Sequence, residues 1–431
     1  MAIPRVDSPQ QSAPCRIVVA GGSYGGITSV LTLLDLIDGK PLRVGLETQF
    51  SRDLRVQRKF EIVLLDKREG FFHTVGAPLA HVSRRHVKPF WRKFASFDDL
   101  HRPEVHIVQG SLKNVDLESK SLTFKGCGSG SGESSLTYDY LILATGLQRP
   151  WPIVPTADNH DQYVRDAEAH IAGIENAREK SVVVIGGGAV GVEMAGEIKN
   201  HHPNHSVTLV HSRSQVLSNE PLPDDFKDRA LEVLREEGVE VLLNERPSVD
   251  LDAKELVFAD GREVNPGFVL MAASKWIPGT MYLPDSALDE EGYVKVSATL
   301  TLASEDSKNP THFAIGDIAR VSGIKRAGAA LRMGCVAAIN IYAAMLAQEG
   351  LTEESAYNDW PEVPPMIALA VGKQALTFGP GQGTKWGVDV MEQTFGDDLG
   401  WTFSLRYLDL LDYYEPLKAH EPVGADVMPG Q

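Results

Sequence analysis

A short β-branched strand that runs straight into a cluster of glycines, and from there into a helix, occurs twice in this chain. Arg16-Ile17-Val18-Val19-Ala20 leads into Gly21-Gly22-Ser23-Tyr24-Gly25-Gly26, after which Ile27 to Ile37 places apolar residues at helical spacing. Ser181 to Ile185 leads into Gly186-Gly187-Gly188-Ala189-Val190-Gly191 and a helical stretch from Val192 to Lys199. Gly21 and Gly186 lie 165 residues apart, so these are two separate units and not a short repeat. Glycine in such a turn permits a tight bend. It also lets backbone N–H groups approach a pyrophosphate seated on the helix N-terminus. The expected fold class is α/β, with two Rossmann-type dinucleotide-binding domains.

The two turns differ in detail. The second is an unbroken G-x-G-x-x-G, with Gly186, Gly188 and Gly191 as its glycines. The first carries Ser23 at the middle position, where a hydroxyl can still donate to a phosphate while its Cβ narrows the approach. A second strand, Phe60 to Leu65, ends at Asp66, with Lys67 beside it. A carboxylate there is placed to accept from ribose hydroxyls. Asp66 stands 45 residues after Gly21 and not about 20, because the polar, arginine-rich stretch Gly39–Lys59 intervenes as an expected surface excursion. In the second unit the matching strand ends in His211-Ser212-Arg213. His211 and Arg213 suit a 2′-phosphate, so NADPH is expected to be accepted. Phe313-Ala314-Ile315-Gly316-Asp317 is a further strand and turn, too common to carry weight alone. Two dinucleotide units suggest a bound flavin and a diffusible nicotinamide, FAD and NAD(P)H, with hydride passing between them.

Composition narrows the partners. Among 431 residues, 42 Lys and Arg face 58 Asp and Glu, a net charge of −16. Such a balance argues against a nucleic-acid partner, which needs a basic footprint, and repels an anionic membrane. Cys15, Cys127 and Cys335 form no C-x-x-C pair, so neither a dithiol redox centre nor a disulfide framework is expected. The thirteen histidines show no metal-binding spacing, and no metal is expected. The N-terminal residues show no secretory signal, and no apolar run was found to reach the ~18 residues of a membrane span. The expected localisation is cytoplasmic. Peripheral membrane contact stays open because Trp401 to Tyr414 is aromatic enough to skim a bilayer, although Asp409, Asp412 and Glu415 oppose it. Packing of that stretch on the core is the alternative.

Taken together, the two glycine turns, Ala144-Thr145-Gly146 after the strand Tyr140–Leu143, and Gly316-Asp317 resemble the FAD-dependent pyridine-nucleotide oxidoreductases. Gly70 to Val75, Gly191 to Lys199 and Ile324-Lys325-Arg326-Ala327 are similar to the AMID-type branch: apoptosis-inducing-factor-like, ferroptosis-suppressor-like and type II NADH dehydrogenase-like proteins. The resemblance implies that Gly21, Ser23 and Gly26, with Gly22, Tyr24 and Gly25 in the same turn, line the FAD pyrophosphate. It further implies Asp66 on the adenosine ribose, Gly146 and Thr145 facing the FAD, and Asp317 after Gly316 on a ribityl hydroxyl. Gly186, Gly188 and Gly191 would take NAD(P)H. Glu193 and Lys325 would stand beside the flavin ring as catalytic groups. Apart from the resemblance, His73 titrates near neutrality and could relay a proton near the flavin, but a satisfied buried histidine is the favoured reading. Relatives commonly have a glycine turn before a proline at the end of the nicotinamide domain, whereas Leu270 to Pro278 contains none.

The expected organisation is an FAD-binding domain in two pieces (1–152 and 286–360), an NAD(P)H-binding domain between them (153–285) and a smaller α+β C-terminal domain (361–431). The expected function is that of an FAD-dependent NAD(P)H oxidoreductase with a small-molecule acceptor, a quinone or an aromatic metabolite. Two alternatives remain at this stage. One is a tailoring flavoenzyme of a secondary-metabolite pathway; the other is a signalling protein of the apoptosis-inducing-factor kind with secondary redox activity. Oligomeric state is not legible.

Overall fold

The computed structural model describes residues 13–127, 132–177, 180–273, 276–304, 309–352 and 357–410. Its largest sheet has seven strands in the order His312–Ala314, Tyr140–Leu143, Cys15–Ala20, Phe60–Asp66, Val105–Asp116, Ser121–Gly126 and Glu133–Thr137. The first five run parallel, and the last two return antiparallel as a hairpin. The tip of that hairpin, 128–131, lies outside the described residues. Val18 pairs with Val63 on one side and Leu141 on the other, so the glycine turn leaves from the centre of the sheet. A central parallel strand is covered on both faces, which is why Ile17, Val18 and Val19 form an unbroken buried run.

The second sheet has four parallel strands, Glu240–Leu243, Ser206–His211, Ser181–Ile185 and Phe268–Met271. The second glycine turn again leaves from an interior strand. Between the sheets, Leu147–Gln148 and Ile277–Pro278 pair antiparallel where the chain crosses over and back. A three-stranded antiparallel sheet, Ile367–Val371, Gln374–Gly379 and Gly383–Gly387, follows, with the helices Val388–Thr394 and Trp401–Tyr407.

The helix of the first turn, Tyr24–Asp38, is buried from Tyr24 to Leu36 because it is packed between the sheet and the helix Ala327–Gln348. The approach is close: a Cβ on Gly334 would lie 2.2 Å from the Gly25 carbonyl oxygen. Ser29 donates to the Gly25 and Gly334 carbonyls at 2.9 and 3.1 Å. The expectation that no apolar run reaches spanning length is corrected here, since Ala327–Gln348 is long and apolar enough by composition to cross a bilayer. In the structure 83% of its apolar window is buried, and it serves as a core helix.

The Gly39–Lys59 stretch also differs from expectation. It has no helix or strand, yet Leu42, Val44 and Phe50 are buried against Tyr342 and its neighbours. Its Arg43 donates to Asp35 at 3.2 Å and to Asp99 at 2.7 Å. The described part of the C-terminal aromatic stretch packs on the core: Trp401 is fully buried, 5.5 Å from the Phe71 ring and 5.0 Å from the His73 ring. Residues 411–414 of that stretch lie outside the described residues.

Candidate active site

The two turns fold alike. Gly21 and Gly186 take φ of +107° and +117°, where a side chain is strained. A Cβ on Gly26 would lie 1.7 Å from the Gly21 carbonyl oxygen, and one on Gly191 1.8 Å from that of Gly186. The glycines that begin and close each turn are therefore required by the bend itself. In the first turn Ser23 is the N-cap of Tyr24–Asp38, and its hydroxyl makes no capping bond. In the second, Gly188 is the N-cap of Ala189–His201, and a Cβ there would meet nothing within 4 Å.

Both turns open into one cavity of about 2450 Å³. Of the residues expected from the sequence, Gly21, Ser23, Tyr24, Gly25, Asp66, Lys67, Thr145, Gly146, Gly186, Gly188, Glu193, His211, Arg213, Gly316, Asp317 and Lys325 line it. Gly22, Gly26 and Gly191 shape it from behind. Gly22 sits against Phe94, whose ring a Cβ would meet at 2.3 Å, and its N–H donates to Asp66 Oδ2 at 2.6 Å. Asp66 Oδ1 accepts from the Arg68 N–H at 2.8 Å, so the strand-end carboxylate is oriented before any ligand arrives.

His73 does not reach the cavity. It is fully buried, with Nδ1 2.7 Å from the Tyr24 hydroxyl and Nε2 3.0 Å from the Leu399 carbonyl oxygen. The Leu399 carbonyl can only accept, so Nε2 carries the proton and Nδ1 accepts from Tyr24. Burial pushes its pKa down to about 3, and both nitrogens are engaged. Of the two readings of His73, these contacts match the satisfied buried histidine and not the proton relay.

The two groups expected to be catalytic, Glu193 and Lys325, both line this cavity. The Glu193 carboxyl is raised to about 8 by burial, against a hydrogen bond from the Ala370 backbone and the charge of Arg149. Lys325 lies with Nζ 5.1 Å from the centre of the Tyr293 ring and donates to the Ala319 carbonyl. Burial lowers its pKa, partly offset by Asp317, while burial raises that of Asp317. The side chains of Lys325 and Glu193 thus line the same cavity, but Lys325 is held by its own loop. Thr145 donates to the Gly279 carbonyl at 2.8 Å, and the Gly279 N–H donates to the Gly146 carbonyl at 2.9 Å.

Gly279 was missed. The glycine absent from Leu270 to Pro278 stands one residue further on, where a Cβ would lie 2.9 Å from the Gly146 carbonyl oxygen. The Pro278-Gly279 pair was the available signal. Ser274 and Lys275 lie outside the described residues. Arg149 was also missed. It is 5.4 Å from the Trp276 ring, and its charge is one of the influences that oppose burial at Glu193, at Glu220 with Lys227 and at Asp317 with Lys325. Another part not foreseen is a wall from the C-terminal segment, with Ile367, Ala368, Phe378, Phe403 and Tyr407 lining the cavity.

The residues present fit two dinucleotides. Two turns present backbone N–H groups to one cavity, the Ser23 hydroxyl is left without a capping bond, and Arg68 Nη1 is buried beside Asp66 without a hydrogen-bond partner. Among the described residues no cluster of three His, Cys, Asp or Glu side chains could hold a metal. The three cysteines are free thiols.

Such an arrangement defines a two-dinucleotide oxidoreductase, and sequence comparison agrees. Residues 15–334 match the family described as Pyridine nucleotide-disulphide oxidoreductase, and the chain belongs to that family. It is 42% identical over 418 residues to Oxidoreductase OXR1 of Ajellomyces capsulatus, covering 94% of this chain and 90% of that protein. Ferroptosis suppressor protein 1 of Homo sapiens is 29% identical over 347 residues, 77% of this chain and 81% of its own. The fold matches the NDH2 structure from Plasmodium falciparum with a TM-score of 0.65 at 14% identity, over 93% of this chain and 98% of that one. The sulfide:quinone oxidoreductase of Aquifex aeolicus matches with a TM-score of 0.65 at 16% identity, over 92% of each chain. The chain is an FAD-dependent NAD(P)H oxidoreductase, and the expected cofactor pair is that of its family.

Proposed function

We propose that this protein passes the reducing equivalents of NAD(P)H to a quinone or a related small aromatic acceptor. The observation that carries this reading is the single cavity: both glycine turns, Glu193, Lys325 and the apolar C-terminal wall all face it. FAD, when bound, supplies a carrier that takes two electrons from nicotinamide and releases them to a second substrate. Gly21, Ser23 and Asp66 would hold the FAD, and Gly186 and Gly188 the nicotinamide dinucleotide. Phe378, Phe403 and Tyr407 offer an acceptor ring an apolar and aromatic surface. Quinone reduction consumes protons as well as electrons, and the Glu193 carboxyl, raised to about 8, holds one at neutral pH on its Oε atoms. The Lys325 ammonium places positive charge where a reduced ring develops negative charge.

Support from relatives is of the same kind: the Aquifex aeolicus structure is by its description a sulfide:quinone oxidoreductase. Purified protein is expected to show a flavin absorption band that bleaches on anaerobic addition of NADH or NADPH. Recovery of the band on adding a benzoquinone, at a rate above that with oxygen, is the expected second half. Bleaching without recovery by any quinone would refute the acceptor assignment, and a colourless protein that takes up no added FAD would refute the whole scheme.

A further inference from the structure

We infer that the second nucleotide site is built for the 2′-phosphate of NADPH, with Arg213 and Arg246 as its two phosphate-binding cations. The inference rests on reading the Gly186–Gly191 turn as the nicotinamide site. At the place where the first unit has Asp66, the second has His211, and the Gly187 N–H donates to His211 Nδ1 at 3.1 Å. A backbone N–H can only donate, so Nδ1 is the unprotonated nitrogen and the proton sits on Nε2, 3.2 Å from the Ser218 hydroxyl. The strand end therefore presents a neutral ring where a carboxylate would select a free ribose diol and repel a phosphate.

The neighbouring loop completes the pocket. The Asn244 N–H donates to the Arg213 carbonyl at 3.1 Å and the Glu245 N–H to the His211 carbonyl at 3.0 Å, which fastens the 244–246 loop beside the strand end. Ser212, Arg213, Glu245 and Arg246 line the cavity there. Glu245, the carboxylate of this set, is paired with Arg262 at 2.8 Å, and Arg262 is held in turn by Asp260 at 2.6 Å. Among the described residues neither Arg213 nor Arg246 has an ion pair. Two cations without acidic partners and the Ser212 hydroxyl match a phosphate dianion, which arginine binds through paired N–H donors.

The test uses the full-length protein loaded with FAD and reads binding as well as turnover. By titration calorimetry 2′,5′-ADP should bind at least about tenfold tighter than 5′-AMP, which lacks only the 2′-phosphate, the gain of one charge-assisted contact. Arg213→Ala and Arg246→Ala should each remove about tenfold of 2′,5′-ADP affinity and leave 5′-AMP affinity unchanged. Arg246→Lys should restore part of it. His211→Asp should move kcat/KM towards NADH, because a carboxylate can accept the Gly187 N–H as Asp66 accepts that of Gly22. Equal affinity for 2′,5′-ADP and 5′-AMP, or equal losses for both in the arginine variants, would overturn the inference while leaving the nicotinamide site in place. Absence of binding by ADP, NAD⁺ and NADP⁺ alike, with no bleaching by either reduced coenzyme, would refute the site and the inference together.

Discussion

In the first unit the second glycine of the turn gives its N–H to a carboxylate, and in the second unit the same N–H goes to an imidazole. The bends are otherwise alike, down to the 1.7 and 1.8 Å approach that a Cβ on the closing glycine would make to a backbone carbonyl oxygen, so that the turn would have to shift. Their surroundings differ as much as their acceptors. The helix after the first turn is buried from Tyr24 to Leu36 under Ala327–Gln348, and Gly22 is backed by the ring of Phe94. At the second turn Gly188 faces open space, and Ser212 and Arg213 are exposed. One backbone device thus serves two purposes. Enclosure suits a cofactor that stays, and an open rim with unpaired arginines suits a coenzyme that must enter and leave at each turnover.

Paired substitutions can break this comparison. The largest effect is expected at Glu193, the proposed general acid. Glu193→Gln should lower steady-state quinone reduction by about 10²-fold or more. In the unsubstituted protein the rate should fall as pH rises through about 8, since the protonated carboxyl is the active form. A pH–rate profile of the variant that keeps this limb would remove Glu193 from the proton path.

Next come the closing glycines. Gly26→Ala should weaken FAD retention by roughly ten- to hundredfold, and Gly191→Ala should do the same for nicotinamide while the protein stays yellow. Flavin content and anaerobic bleaching separate the two outcomes. If either variant lost both functions equally, the two turns would not serve separate ligands.

A smaller effect is expected at Gly22 and Gly187. A Cβ on Gly22 meets the fully buried Phe94 ring at 2.3 Å, whereas one on Gly187 meets the half-buried His211 ring at 2.8 Å. Gly22→Ala should cost ~1–3 kcal/mol of stability by overpacking, and Gly187→Ala less, because His211 has room to shift. Denaturant melts of the two variants would reverse the argument if Gly187→Ala proved the more damaging.

The mildest prediction concerns acid. Burial depresses His73 to about 3, His81 to about 4 and His170 to about 3. An unfolded histidine titrates near 6.5, so their contribution is complete above that pH and is lost as pH falls from about 6.5 through these folded values. The melting temperature should therefore begin to decline below pH 6.5, and His170→Phe should lessen the slope. An unchanged slope would show that these rings are not neutral in the fold.

Much of this was legible in the chain itself. Gly21 to Gly26 and Gly186 to Gly191 announce their turns because a positive φ and a close carbonyl are local demands that glycine alone meets. The strand ends at Asp66 and His211 follow from a run of β-branched residues that stops at a polar one. His73 was harder. Its neighbours Phe71 and Phe72 say that it is near the core, but its partners Tyr24 and Leu399 lie 49 and 326 residues away. Nothing within a few residues of it reports those contacts. Gly39–Lys59 shows the same limit, since an arginine-rich stretch reads as solvated until Asp35 and Asp99 are seen to hold Arg43.

The sequence alone determined that there are two dinucleotide turns, where each begins and ends, and which family the chain resembles, because backbone geometry and short-range periodicity are written residue by residue. Tertiary structure alone decided which side chains share the cavity. It set Gly279 against Gly146, fastened the 244–246 loop to the strand end at Arg213, paired Glu245 with Arg262, and folded Trp401 onto Phe71. Those juxtapositions are set by how sheets, helices and loops pack over long separations in the chain, and packing of that kind leaves no local pattern to read.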